Sequence, residues 1–321
     1  MTYARSQLVP PGAPGIYHCV SRCVRRAFLC GEDRYTGQSF EHRRQWLQDR
    51  LHELAEVFAV SVLAYAVMSN HLHLVVQMQP DAAAAWSERE VAERWLRLFP
   101  KADQAPEGRI DVLLTNPERL NTLRARLADL SWLMRCLCEP IARRANQEDH
   151  CKGRFWEGRF KCQALLDEAA VLAAMAYVDL NPIRAGLCDR LEDAHHTSAQ
   201  RRIVDLDDSA SGAHKPLLPI AGIRGLSVLA IDPAGYLELL DWTGRQLHPG
   251  KRGVITGPPP KALARLGCGE SQWPRQVKAV GSDFHRAVGS VQSLLDKAAA
   301  MGQRWLQGIG VARVLATKAA S

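Results

Sequence analysis

The sequence predicts an α+β protein: an antiparallel sheet carrying a helical insertion. Three observations predict it. Runs of β-branched and aromatic residues recur at 15–24, 60–67 and 71–78. Two of these, "VSVLAYAV" and "HLHLVVQM", flank a tight turn at Ser69-Asn70 and so form a hairpin. The long stretches around them repeat apolar residues at helical spacing.

Taken in order, residues 1–14 are rich in Pro and Gly and read as a loose N-terminus. "GIYHCVSRCV" is the first strand. "SFEHRRQWLQDRLHELAEVFA" is an amphipathic helix, with Leu47, Leu51, Leu54 and Phe58 on one stripe. The hairpin follows. After Pro80 the chain turns helical, through "SEREVAERWLRLF" and then "ERLNTLRARLADLSWLMRCLCEPIARRANQ". "HCKGRFWEGRFKCQALL" runs from loop into strand. Residues 167–181 form a helix that must end at Pro182, because the residue before proline avoids the α region. With the insertion at about 80–130 removed, the order is βαββαβ, a ferredoxin-like arrangement with helices on one face of the sheet.

The domain expectation is a catalytic unit at 15–202, a linker at 203–222 and a small, mostly helical region at 223–321. That last region is basic. Residues 241–321 hold 12 Lys and Arg against 4 Asp and Glu, while the whole chain of 321 residues carries a net charge of +7. A basic surface attracts polyanions, most often nucleic acid; the bland reading is a solvated basic face.

Composition excludes several classes. No apolar run is long enough to span a bilayer. "MTYARSQLVPPGAPG" lacks the apolar core of a secretory signal, so a cytoplasmic protein is expected. Nine cysteines, an odd number without C-x-x-C, argue against a disulfide framework. Cys19, Cys23 and Cys30 fit no common zinc spacing.

The chemistry starts at "VMSNHLHLVV". Side chains on a strand alternate faces. His71 and His73 therefore share a face with Val75 and Gln77, their Cα atoms about 7 Å apart. Two imidazoles so placed can converge on one divalent ion, though a third ligand must come from elsewhere. The other reading is a pair of ordinary half-exposed histidines.

"AYVDLNP" supplies what is missing. Tyr177 and Asn181 lie four apart on one helix face, while Asp179 points elsewhere. An amide oxygen suits a hard cation, and a tyrosine hydroxyl can act as a nucleophile. Core packing for Tyr177 and helix capping for Asn181 are the plain alternatives. The strand motif and the helix motif together are harder to explain that way.

The chain resembles the single-tyrosine HUH transposases, and among them the REP-associated tyrosine transposases. The resemblance rests on "NHLHLVV", "YVDLNPIRAGL", "GRFWEGRFK" and "GIYHCVSRCVRR", over about residues 15–200. It implies a ferredoxin-like enzyme that nicks and rejoins single-stranded or hairpin DNA, such as repetitive extragenic or insertion-sequence ends, as a monomer or homodimer. It implies Mg²⁺ or Mn²⁺ on His71, His73 and Asn181, polarising the scissile phosphate. Tyr177 would then attack phosphorus and form a 5′-phosphotyrosine.

Arg22, Arg25, Arg26, Lys152, Arg154, Arg159 and Lys161 are candidates for phosphate contacts, with Phe155 and Trp156 as base-stacking rings. Two rivals remain open. A domesticated relative would bind hairpin DNA or RNA without turnover. A hydrolase using activated water would leave Tyr177 dispensable.

Overall fold

The computed structural model describes residues 4–24, 29–32, 37–101, 105–207, 216–224, 229–247 and 258–317. One turn, α1 (Arg5–Leu8), precedes strand β1 (Gly15–Arg22). Helix α2 (His42–Val57) leads to the hairpin of β2 (Val60–Val67) and β3 (His71–Met78). The insertion is helical: α3 (Pro80–Ala85), α4 (Glu88–Leu98), α5 (Pro106–Leu114) and α6 (Pro117–Leu127). Next come α7 (Leu130–Glu148), β4 (Lys161–Leu165), α8 (Glu168–Asp179) and the single turn α9 (Asn181–Arg184). Helix α10 (Ser198–Asp207) and β5 (Ala221–Gly222) follow. The rest is mostly helical: α11 (Pro233–Leu247), α12 (Lys261–Arg265), α13 (Trp273–Ser282), β6 (Ala287–Val288), α14 (Val291–Ala300) and α15 (Ile309–Thr317).

Among the described residues six strands form one sheet in the order β5-β2-β3-β1-β4-β6. The pairs among β1 to β5 are antiparallel. β6 runs parallel to β4, so the sheet is mixed rather than purely antiparallel as expected. A parallel neighbour needs a crossover connection, and the helical chain between β4 and β6 provides it.

Helices cover both faces, not one. On β1, His18, Val20 and Arg22 share a face with His73 and His71 of the paired β3. Ser21 looks the other way, where its Oγ lies 3.4 Å from Cys138 Sγ of α7. Helix α7, with α2 packed on it, covers that face. Helix α8 crosses β2, β3 and β4 on the histidine face. The reason is in the strands. β2 is buried along its whole length, and Val75 is as buried as Leu74. A sheet apolar on both faces must be covered on both.

Local sequence explains how the helices that frame the site are held. Asp167 caps α8, accepting from the Ala170 N–H at 2.9 Å. Pro182 does not end the helical path as predicted. α8 stops at Asp179, and the chain makes another turn with Pro182 inside its first residues, where a missing N–H costs nothing. Within α7, Pro140 deprives the Cys136 carbonyl of its helical partner, and Arg50 Nε from α2 donates to that oxygen at 3.2 Å.

Asp179 is fully buried on the far side of α8 from the histidines. Its carboxylate accepts from the Ser198 hydroxyl, from the Ala199 N–H at 2.9 Å and from the Tyr236 hydroxyl at 2.6 Å. It thereby ties α10 and α11 to α8. The expected linker, 203–222, begins inside α10 and ends in β5, which pairs with β2; residues 208–215 lie outside those described. Beyond it, α13 packs on α8 and β6 extends the sheet.

Candidate active site

β3 holds His71 and His73 with ring centroids 4.7 Å apart, tilted by 77°. The Tyr177 ring, from α8, stands edge-on to His73 at 5.6 Å. One turn later the Asn181 Nδ2 lies 3.1 Å from His73 Nε2. The two residues read from strand alternation and the two read from helix spacing thus meet within one chain. Asp179, between them in sequence, faces away.

The rings open into a cavity of about 750 Å³ lined by His18, His71, His73 and Tyr177. Arg5, Arg22, Arg159, Lys161 and Arg286 line it too, against a single carboxylate among the described residues, Glu157. The walls come from β1, the segment before β4, and the residues around α13. Of the candidate phosphate contacts, Arg22, Arg159 and Lys161 are therefore at the cavity. Lys152 and Arg154 are exposed but do not line it. Phe155 is only 2% exposed, and the half-buried Trp156 donates its indole N–H to the Cys138 carbonyl at 2.8 Å. Phe155 thus packs in the core, and Trp156 packs against it. Of the aromatics in that segment, Phe160 lines the cavity, with the Arg5 guanidinium 4.0 Å above it. Arg25 and Arg26 lie outside the described residues.

Burial sets the electrostatics. It pulls His71 down to about 4, with Arg22 adding to the effect. It also pulls His18 down to about 4, against an opposing hydrogen bond from Gln163. His73 falls well below its ordinary value, through burial first and then the charges of His18, His71, Arg184 and Arg22. All three rings are neutral at pH 7, so each keeps a lone pair. Asn70 Oδ1, 2.5 Å from His71 Nδ1, holds that nitrogen as the N–H and leaves Nε2 as the acceptor.

Among the described residues no three His, Cys, Asp or Glu side chains are placed to hold a metal ion. A third protein donor beside the imidazoles falls to the Asn181 amide. Neutral imidazoles with an amide oxygen suit a borderline or hard divalent ion, so the donor set fits once the Asn181 amide turns its oxygen, in place of the Nδ2 that now faces His73, toward the ion.

Several residues at the site were not singled out in the sequence. His18 lies edge to edge with His73, ring centroids 5.2 Å apart and planes only 12° from parallel, and approaches Tyr177 at 5.9 Å. Gln163 binds His18. The Arg184 guanidinium sits 4.6 Å above the Tyr177 ring. Gly281 of α13 abuts the phenol so closely that a Cβ there would stand 2.5 Å from the hydroxyl oxygen. Arg184 could have been found, being seven residues after Tyr177 and so near the same helix stripe. His18 shares the alternation of Arg22. Nothing local signals Gln163 or Gly281.

No protein-family model matches this chain. No curated protein matches it either. Among solved structures, a REP-associated tyrosine transposase bound to a REP hairpin is similar, at 14% identity and a TM-score of 0.36. The alignment covers 66% of this chain and 93% of that one. A likeness of that size carries no argument, and the site is read from its own geometry. Among the described residues no helix is long and apolar enough to cross a membrane.

Proposed function

We propose that this chain nicks and rejoins single-stranded DNA through a covalent 5′-phosphotyrosine at Tyr177. The observation that carries the reading is the meeting of Tyr177, His73 and Asn181 at the edge of a cation-lined cavity. A tyrosine hydroxyl, two neutral imidazoles and an amide brought together beside cations are a set that phosphoryl chemistry uses. The sequence resemblance to single-tyrosine transposases supplies the substrate class, and the cations suit a phosphodiester backbone. In the same reading the β2-β3-β1-β4 core is ferredoxin-like, with α2 and α7 as its connecting helices.

Arg22, Arg159, Lys161 and Arg286 would hold the backbone phosphates along the cavity. The Tyr177 oxygen attacks the scissile phosphorus, forming the phenol-oxygen–phosphorus bond and breaking the bond to the 3′-oxygen. The phenol loses its proton and the departing 3′-oxygen gains one. His71, His73 and the Asn181 amide oxygen would hold a Mg²⁺ or Mn²⁺, which would supply Lewis-acid polarisation of the phosphate. Arg184 lies over the ring that carries the growing negative charge. Attack by a second 3′-hydroxyl reverses the step and releases Tyr177. The phosphodiester energy is kept throughout, so no ATP is needed.

The test is to incubate the protein with a single-stranded hairpin oligonucleotide and Mn²⁺ and look for a covalent protein–DNA adduct. The adduct should form, and Tyr177→Phe should abolish it. Cleavage that survives Tyr177→Phe would instead indicate a hydrolase. Binding with no cleavage would indicate a recognition module.

A further inference from the structure

We propose that Gln163 and His18 are positioning residues that lock His73 into its Nδ1–H tautomer, turning the Nε2 lone pair into the site. The argument runs from backbone to ring, and each link fixes the next. Gln163 Nε2 lies 3.1 Å from the Val280 carbonyl and 2.7 Å from the Phe284 carbonyl. Carbonyl oxygens only accept, so the Gln163 NH₂ group must face them. Its Oε1 is then left facing His18 Nδ1 at 2.8 Å. An amide oxygen only accepts, so His18 carries its proton on Nδ1.

His18 is 2% exposed, and the groups hydrogen-bonded to it are an amide and another imidazole, neither of them an anion. A second proton would leave an unpaired buried cation, so His18 Nε2 is an acceptor. That nitrogen faces His73 Nδ1 at 2.9 Å, which must therefore be the N–H. His73 Nε2 is left with its lone pair. The final link agrees, because the Asn181 Nδ2 amide group donates to it at 3.1 Å. Four side chains form a chain with one possible direction, anchored on two backbone carbonyls of the α13 region.

This deepens the proposed function and rests on it for the metal. A histidine that ligates through Nε2 needs its other nitrogen held as a donor. Nδ1–H is the tautomer that free histidine disfavours, so something must impose it. The anchor lies beyond residue 223, which gives the C-terminal region a part in preparing a ligand on β3.

The tautomer can be read directly. Long-range ¹H–¹⁵N correlation spectra of the metal-free, ¹⁵N-histidine-labelled full chain should show His73 protonated on Nδ1 and bare on Nε2, with His18 the same. His73 protonated on Nε2 overturns the proposal, and this measurement needs no variant. Mn²⁺ affinity, followed by loss of the free-ion electron paramagnetic resonance signal, is the second readout. His18→Phe, which keeps the ring and removes the acceptor, should weaken Mn²⁺ binding about 10- to 100-fold. His18→Gln, whose side-chain oxygen falls near the old Nε2, should restore binding and the Nδ1–H signal. Wild-type affinity in His18→Phe overturns the relay. A wild-type chain that binds no Mn²⁺ overturns the metal reading, while the tautomer in that sample still decides the relay.

Discussion

Arg184 holds its guanidinium 4.6 Å above the ring of Tyr177. The two are seven residues apart, on either side of the break between α8 and α9, so the extra turn after Asp179 is what brings them face to face. A cation over an aromatic face contributes about 0.5 to 2 kcal/mol. It contributes more as the phenol becomes an anion.

Arg184→Gln should accordingly slow adduct formation roughly 2- to 30-fold, read in a single-turnover assay with excess protein. Arg184→Lys should recover part of the rate. Equal rates in all three proteins would exclude a role for the cation.

Gly281→Ala should be costly for a reason confined to one contact. The added Cβ would meet the Tyr177 hydroxyl and ring within 2.6 Å, so either the ring or α13 must shift. Overpacking of this kind costs about 1–3 kcal/mol. In urea denaturation the variant should lose that much, and the Tyr177→Ala, Gly281→Ala double variant should lose less than the two changes summed. Additive losses would mean that the two residues do not press on each other.

Cavity cations should set affinity rather than chemistry. Arg159→Ala and Arg286→Ala should each weaken single-stranded DNA binding and lower the log–log salt slope by about 0.7. Lys152→Ala and Arg154→Ala, away from the cavity, should change neither. Fluorescence anisotropy across a salt series reads all four. A uniform effect would point to a diffuse basic surface instead.

The buried histidines should make the fold sensitive to acid. His18 sits at about 4 when folded and near 6.5 when unfolded. The unfolded chain therefore binds the proton first as pH falls. The stability tied to His18 is intact above about 6.5 and is lost between there and about 4, to a total of about 3 kcal/mol. His71 acts in the same direction, and so does His73. Urea midpoints taken from pH 7 to pH 4.5 should fall steeply, and His18→Gln should flatten the fall. A midpoint independent of pH would contradict neutral, buried rings.

Much of the site was legible because it depends on local geometry. Strand alternation put His71 and His73 on one face and Leu72 and Leu74 on the other. Helix spacing joined Tyr177 to Asn181 and sent Asp179 away. These periods belong to the backbone and need no knowledge of neighbours. The aromatic-basic loop was less legible for the opposite reason. Phe155 looks available beside Arg154 and Arg159, yet its ring is buried, while Arg159 and Lys161 of the same loop reach the cavity.

What the sequence by itself determined was strands β1 to β4 with the helices between them, and the facing of His71, His73, Tyr177 and Asn181 within their own elements; β5 and β6 were not legible in it. Only the tertiary structure decided which faces meet. The antiparallel register of β1 on β3 sets Val20 across from His73 and so brings His18 to its Nδ1. The β1–β4 register brings Gln163 to His18, and the packing of α13 on α8 brings Gly281 to Tyr177 and two carbonyls to Gln163. Those contacts join residues more than fifty positions apart. Local periodicity carries no information about them, because they are chosen by how whole apolar faces bury one another.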